Sequence, residues 1–512
     1  DFGNKDTLTD VAFYNVSLKS GEISTNTTWS KSDSPFLVTG DITVTSGDTL
    51  TIEAGSEVRF TPLSDDQSSG NDANRGELYV YGALIANGTA SDTIVFTSNA
   101  ESPSSGDWYG IYLRDNQAGG SFKYNRIEYA TYGISAYSIY GSTNDTLQIS
   151  NNRIHHSGSG IQINYSNRYD VIENNKLHDL SGSGIYRFYS SNYSGSGQIR
   201  NNVINRANSW AITIAGYLNT YDISRNKVDG GGAGINVRSS KSITVRQDTI
   251  QNTTGTGIEI ESSTGAATSQ WRVVSNVIKD NGSYGVRINY ASVNVDSNII
   301  SGHDGYGVYV QTNFESPAAD TLRYNTIINN DNYGIRVNDY AGPFVQYNDL
   351  YGHNYDYYNN STTGNELDAR YNFWGTTTTA EMNTGSNPKN IAKIYDKYDN
   401  SAKGFVNYGG WLGSSGGDPT STSYNGIIKL TNSDGAEQLN FPSDSTLYMR
   451  VTDSDRNSNS GSAETFAVTI KSQTETTAES VTLTETGVNT GIFSGSIAFE
   501  VATSFTNGDS KL

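Results

Sequence analysis

Cysteine is absent from the chain, so no disulfide framework holds it together and a long buried interior must do so instead. Charge is scarce at 17% of residues, and hydrophobic residues reach only 35%. Polarity is carried by Asn, Ser, Thr, Gly and Tyr rather than by Lys and Glu. A disordered acidic chain would also be poor in aromatics, whereas Tyr stands at 35 and Gly at 53. No apolar run approaches the roughly 18 residues of a membrane span, and no span is expected. A basic stripe is missing too. Lys and Arg number 34 against 53 Asp and Glu, a net charge of −19. A nucleic-acid binder needs cationic surface to displace counterions, so nucleic acid is excluded as a partner. The acidity fits a soluble surface protein bathed in divalent cations. The chain opens on Asp1 without a secretory leader, as a processed exported chain would, and an extracellular or cell-surface location is expected.

What is present is repetition. The string Gly-Ile/Val-X-Ile/Val begins at Gly110, Gly160, Gly234, Gly257, Gly285, Gly307 and Gly334, with degenerate copies at Gly133, Gly184 and Ala211. A second string, Asn-X-Ile/Val/Leu, starts at Asn125, Asn152, Asn175, Asn202, Asn226, Asn276, Asn298, Asn325 and Asn348, with Asp248 once in the Asn place. The two series keep step, which defines one unit of about 25 residues. Ile161-Gln162-Ile163 alternates in-out-in, the pattern of a half-buried strand. So short a strand cannot bury itself; stacked on its copies in the neighbouring turns, it can. Three short strands and three corners fit each coil. Coils about 4.8 Å apart follow from ordinary strand spacing, and right-handed crossovers from the chirality of parallel connections. The Gly of each repeat is expected at a corner with positive φ, and the Asn series as a stacked amide ladder.

The expected fold is all-β: a right-handed parallel β-helix solenoid followed by a small Ig-like β-sandwich. Residues 1–34 are expected as an N-terminal cap. Residues 35–412 form the helix and its C-terminal cap, with about 13 or 14 coils. Residues 413–423, rich in Gly, Ser and Thr, read as a linker. Residues 424–512 carry longer alternating runs of antiparallel type. That module is short enough for one closing strand to come from beyond it or from a neighbouring molecule.

The strings "TLTIEAGSEVRF", "GTASDTIVFTS", "GDWYGIYL" and "LDARYNFWGT" resemble those of pectin-lyase-like right-handed β-helix proteins of the prokaryotic secreted or cell-surface type. "VTLTETGVNTGIFSGSI" resembles a module repeated in large prokaryotic surface proteins. The resemblance implies a fold. It does not fix a function, because that superfamily holds lyases, hydrolases, epimerases and inert adhesins.

Three constellations are candidates for chemistry. Asp453, Asp455, Asn457 and Asn459 set oxygen ligands at alternate positions, with Glu464 at the twelfth place, a spacing that suits calcium. A polar turn explains it equally. Glu259 and Glu261 face outward from one strand about 6.6 Å apart, near the range of an inverting carboxylate pair. Arg287 should lie beside Glu259 on the next coil and Arg238 beside Glu261 on the previous one, so cross-strand ion pairs account for the same residues. Third, the segments that vary most in length carry Tyr165, Tyr189, Tyr193, Tyr217, Tyr221 and Trp271. Variable loops in solenoids fall on one side, often the binding side, and Tyr suits sugars and protein interfaces alike. Covering the corners is the alternative role. His155 and His178 each follow their ladder Asn by three residues and should stack in adjacent coils.

The main reading is a non-catalytic extracellular surface protein: a surface-layer, fibre or adhesin component that associates with its own copies or other surface proteins. The alternative is a polysaccharide lyase, hydrolase or epimerase of the same fold, or a glycan-binding module without turnover.

Overall fold

The computed structural model describes residues 16–115, 118–139, 146–189, 195–216, 220–239, 243–262, 270–312, 320–443, 445–453, 456, 457, 459, 461–473, 477–488, 490–499 and 511. The chain is an all-β parallel solenoid of about 13 turns with a small antiparallel sheet near the C-terminus. It divides into two compact units, the first being Asp1–Pro343 with Gly352–Asn354 and Asn360–Thr362.

Within the first unit a typical coil contributes three strands, as in Thr146–Ser150, Arg153–His155 and Ser159–Asn164; in Val203–Gly216 and Lys227–Ser239 the last two run together as one. The first joins one parallel sheet, here the second sheet; the other two join a longer one, the long sheet. Coiling begins before residue 35. Ser17–Ile23 pairs in parallel with Phe36–Val44, and Thr27–Trp29 with Thr49–Ile52.

The interior follows from alternation. Ile161, Ile163, Ile235, Val237, Ile258 and Ile260 are all at most 1% exposed. Each such side chain gains about 1.5–3 kcal/mol by burial, and the stack repeats that gain coil after coil. The amide ladder runs along one corner. Asn152 Oδ1 accepts from the backbone N–H of Asn125 at 2.9 Å and from its Nδ2 at 2.8 Å. Asn152 Nδ2 donates to the Phe122 carbonyl at 2.9 Å and to Asn175 Oδ1 at 3.0 Å. A buried corner is thereby saturated with partners.

The glycine expectation is corrected. Positive φ at these corners belongs to the residue before the ladder Asn, such as Asn151 at 59°, Asn174 at 57° and Tyr324 at 57°. Of the repeat glycines Gly110 alone has a positive φ, at 139°; the others serve close packing. A Cβ on Gly257 would lie 2.5 Å from Ile278 Cγ2 and 2.7 Å from the Gly285 carbonyl oxygen; one on Gly307 would lie 2.6 Å from the Gly334 oxygen. Stacked coils leave no room there for a side chain.

The second unit comprises Phe344–Tyr351, Tyr355–Asn359 and Thr363–Leu512. Trp374 precedes a helix over Gly375–Met382 and is buried with Tyr408 and Trp411. The Gly413–Ser423 segment packs against this cap: Thr420 N–H donates to the Trp411 carbonyl at 2.9 Å, and Ser415 Oγ to Asp349 at 2.6 Å. Five antiparallel strands follow, with Thr446–Thr452 and Ile492–Ala498 in the middle of the sheet and Thr465–Ile470 at one edge. One face of that sheet is apolar and built on Leu447, Met449, Val451, Leu483 and Phe493. Among the described residues the module is this one sheet, where a two-layered Ig-like sandwich was expected.

Candidate functional site

The outward face of the long sheet is a column in strict register. Thr213, Asn236, Glu259, Arg287, Tyr309 and Arg336 pair successively across the strands of consecutive coils. Two residues further along each strand, Arg238, Glu261, Asn289, Gln311 and Asn338 form a parallel column. Period-two alternation sends both columns outward while their neighbours line the core.

The structure brings Glu259, Glu261, Arg238 and Arg287 together as their spacing suggests. Arg287 Nη1 lies 3.4 Å from Glu259 Oε1, and Arg238 Nε lies 2.7 Å from Glu261 Oε2. Asn289 Nδ2 also reaches Glu259 Oε1, at 3.3 Å. The two glutamates differ in burial: Glu259 is 7% exposed, whereas Glu261 is half-buried. Burial pushes the Glu259 carboxyl up from its ordinary range, against the pull of Arg287.

Beside this pair stands an array of rings and guanidinium groups that the sequence reading did not assemble. Tyr284, Tyr306 and Tyr333 each precede the repeat Gly in consecutive coils. The Tyr284 and Tyr306 ring centroids are 5.2 Å apart, those of Tyr306 and Tyr333 4.9 Å, and those of Tyr284 and Tyr309 5.3 Å. The Arg287 guanidinium sits 5.5 Å from the Tyr284 ring and 5.9 Å from Tyr309. Arg336 sits 5.3 Å from Tyr306 and 5.5 Å from Tyr333, and its Nη1 donates to the Tyr306 hydroxyl at 2.7 Å. Tyr309 donates to Gln311 at 2.8 Å, and Gln311 to Asp339 at 2.7 Å. Such a surface offers flat apolar faces, fixed cations and amides side by side. It can stack on pyranose rings and bond to their hydroxyls. The signal for it was the recurring Tyr-Gly-Ile/Val at Tyr284, Tyr306 and Tyr333.

The loop aromatics lie elsewhere. Tyr165 is half-buried, its ring against Tyr137 at 5.1 Å and Phe188 at 5.5 Å. Tyr189 and Trp271 are wholly buried, and Tyr221 is 3% exposed. Their role as an exposed binding set is therefore corrected: these residues already belong to strands, and alternation points them inward. Tyr193 and Tyr217 lie outside the described residues. Tyr221 closes a buried group that sequence reasoning missed. Arg187 occupies an inward position between Ile163 and Ile214, its Nε 2.7 Å from Asp170 and 2.8 Å from the Tyr221 hydroxyl. The signal was "GIYRF", where Arg stands in place of the second aliphatic residue.

His155 and His178 stack with centroids 4.6 Å apart and planes at 4°, as their spacing suggested, and His155 Nε2 lies 3.0 Å from Glu128. Of the calcium candidates, Asp455 lies outside the described residues. Asp453, Asn457, Asn459 and Glu464 lie between the strands Thr446–Thr452 and Thr465–Ile470. The Asn459 side chain caps Gly461 N–H at 2.9 Å. Among the described residues no three His, Cys, Asp or Glu side chains group as a metal site.

A family model described as a right handed beta helix region matches residues 169–320 and 220–373. A second, described as a pectate-lyase like beta helix domain, matches residues 21–146. No curated protein matches the chain. Among solved structures, the periplasmic alginate epimerase AlgG is 11% identical, with 62% of this chain and 80% of that one covered and a TM-score of 0.31. The tailspike protein of E. coli bacteriophage HK620 in complex with pentasaccharide is 10% identical, with 93% and 83% covered and a TM-score of 0.29. Likeness at this level is one of fold alone.

Proposed function

We propose that this pectate-lyase-like β-helix protein holds a polysaccharide along the outward face of its long sheet. The observation that carries the proposal is the interleaving of Arg287 and Arg336 with Tyr284, Tyr306, Tyr309 and Tyr333 on consecutive coils. Coils stacked at strand spacing repeat the same kind of contact along one line. A polymer of like units is the ligand that profits from such a line. Retardation on gels carrying a panel of neutral and acidic polysaccharides tests the proposal. Arg287→Gln with Arg336→Gln should abolish the retardation of the wild-type chain; retardation of the double variant equal to wild type overturns it.

One observation favours turnover in addition to binding. Glu259 is buried, and that burial raises its carboxyl against the opposing pull of Arg287 on the same face; a carboxyl so raised can serve as general acid in glycosidic chemistry. Release of reducing ends or unsaturated products by the wild-type chain, lost in Glu259→Gln, is the expected result. Product release that survives Glu259→Gln removes the residue from that role.

Two sequence readings are carried forward with this one. The location is taken as extracellular or at the cell surface. Among the described residues no helix is long and apolar enough to cross a membrane. Calcium on the loop of Asp453, Asp455, Asn457, Asn459 and Glu464, within an Ig-like module, would raise the melting temperature of the chain. An unchanged melting temperature across a calcium titration would dismiss it.

A further inference from the structure

A typical coil gives the long sheet two strands, and the first of them carries a charge pattern found on neither of the columns described above. On the outward side of Asn125–Glu128, Arg153–His155 and Lys176–Leu180, Arg126 pairs with Arg153 and Arg153 with Lys176. Three cations thus occupy successive rungs about 4.8 Å apart with no carboxylate between them. Like charges directly opposite one another destabilise a strand pair. Elsewhere a carboxylate stands opposite the cation, as Glu173 does to Arg200 and Glu261 to Arg238, each at 2.7 Å. On a chain of net charge −19 the cationic strip is a local reversal of sign, which draws an anion.

All three cations are exposed. Arg126 and Arg153 open on a concavity of about 240 Å³ that Thr93, Tyr124 and Asn151 also line. It is smaller than pockets for whole small molecules and suits one group of a few atoms. The nearby carboxylates are engaged. Arg200 holds Glu173, and Arg206 holds Asp179 at 2.6 Å. Glu128 is buried, accepts from Thr97 Oγ1 at 2.8 Å and lies 3.0 Å from His155 Nε2; Arg126 Nε stands 3.6 Å from it. Arg153 Nε donates to His178 Nε2 at 3.0 Å, which orients its guanidinium. Among the described residues the terminal nitrogens of both guanidinium groups enter no hydrogen bond. Two cationic forks therefore stand on adjacent rungs, with two hydroxyls and an amide beside them. A planar carboxylate has two oxygens and fills one fork. A phosphoryl group has three and can face both.

We propose that Arg126 and Arg153 clamp one phosphoryl group, supplied by free phosphate or by a phosphate ester. Phosphorus-31 line broadening of inorganic phosphate and of glycerol 3-phosphate by the whole chain, at ionic strength held constant with sodium chloride, tests it. Saturable binding is expected. Glycerol 3-phosphate bound as tightly as phosphate identifies an ester as the ligand, and phosphate bound alone identifies the free ion. Arg126→Gln with Arg153→Gln should weaken binding about tenfold or more. The melting temperature in phosphate-free buffer should not fall in that variant, because exposed and mutually repelling charges are removed. Lys176→Gln removes one charge of the same strip outside the concavity and should change affinity by less than about threefold. Acetate at equal concentration should leave phosphate bound. No saturable binding of either ligand, a double variant that binds like the wild type, a loss in Lys176→Gln as large as in the double variant, or displacement by acetate each overturns the proposal.

Discussion

The column inside the solenoid and the column outside it share one period and one register, yet they differ in uniformity. Inside, Asn recurs at nearly every rung from Asn125 to Asn325, because each rung needs the same donors and acceptors from the next. Outside, the positions read Thr213, Asn236, Glu259, Arg287, Tyr309, Arg336. No packing rule demands that order. A column that repeats is held by the fold, whereas one that varies is free to be shaped by what it touches. Substitutions inside should therefore move stability, and substitutions outside should move binding.

The sharpest test of the inside half is Asn202→Ala. It removes the acceptor of the Asn175 backbone N–H and amide, and the donor to Asn226 and the Ile172 carbonyl. Buried groups left without partners should cost about 3–5 kcal/mol, read by denaturant unfolding. A loss below 1 kcal/mol would mean that the ladder is ornamental.

Asp248 breaks the ladder's uniformity and offers a test in the opposite direction. It accepts from Asn226 as an Asn would, but burial pushes its carboxyl up to about 7. The folded state thus holds a proton that the unfolded chain releases near pH 4. Its contribution to stability is present below pH 4 and is lost as the pH rises through about 7. Asp248→Asn should remove that slope and gain up to about 4 kcal/mol at pH 8, with little change at pH 4. Equal gains at both pH values would contradict the assignment.

A second interior column, with Thr253, Asn281, His303 and Asn330 linked across coils, titrates the other way. Burial lowers His303 to about 4, so this imidazole stays neutral in the fold while the unfolded chain takes a proton near 6.5. Stability tied to it is full above 6.5 and is lost as the pH falls toward 4, by about 3 kcal/mol. His303→Asn, which copies Asn281 and Asn330, should flatten that acid limb; an unchanged limb assigns it to other groups. The smallest effect on stability belongs outside. Tyr309→Phe, which keeps the buried ring and removes only the hydroxyl that donates to Gln311, should shift stability by about 1 kcal/mol or less while weakening polysaccharide binding. A large loss of stability with binding intact would invert the comparison.

Much of the fold was legible because its signals are local and repeated. The period, the in-out-in strands and the Asn series are each visible in a few residues, and the pairing of Arg238 with Glu261 follows once the copies are aligned. What failed to read depends on contacts between coils. Tyr189, Tyr221 and Trp271 sit next to segments of variable length, and only the partner strand decides where each strand resumes its alternation. The repeat glycines look like turn residues in one dimension, but it is the carbonyl and Ile side chain of the next coil that exclude a Cβ there. Arg187 is buried because Asp170 and Tyr221, both distant in sequence, arrive from the second sheet to pair with it. The Tyr284–Arg336 surface was spread over three coils, each contributing a pair of residues unremarkable alone.

The account turns on whether the varied outer column of the long sheet touches a polysaccharide. Titration of wild-type chain and of the Tyr306→Ala, Tyr333→Ala variant, both residues being part-exposed, with whichever polysaccharide retards the wild type tests this most directly. The predicted result is binding reduced about tenfold or more with the unfolding midpoint unmoved. Equal affinity in the two chains would contradict it, and so would a wild type that no polysaccharide retards.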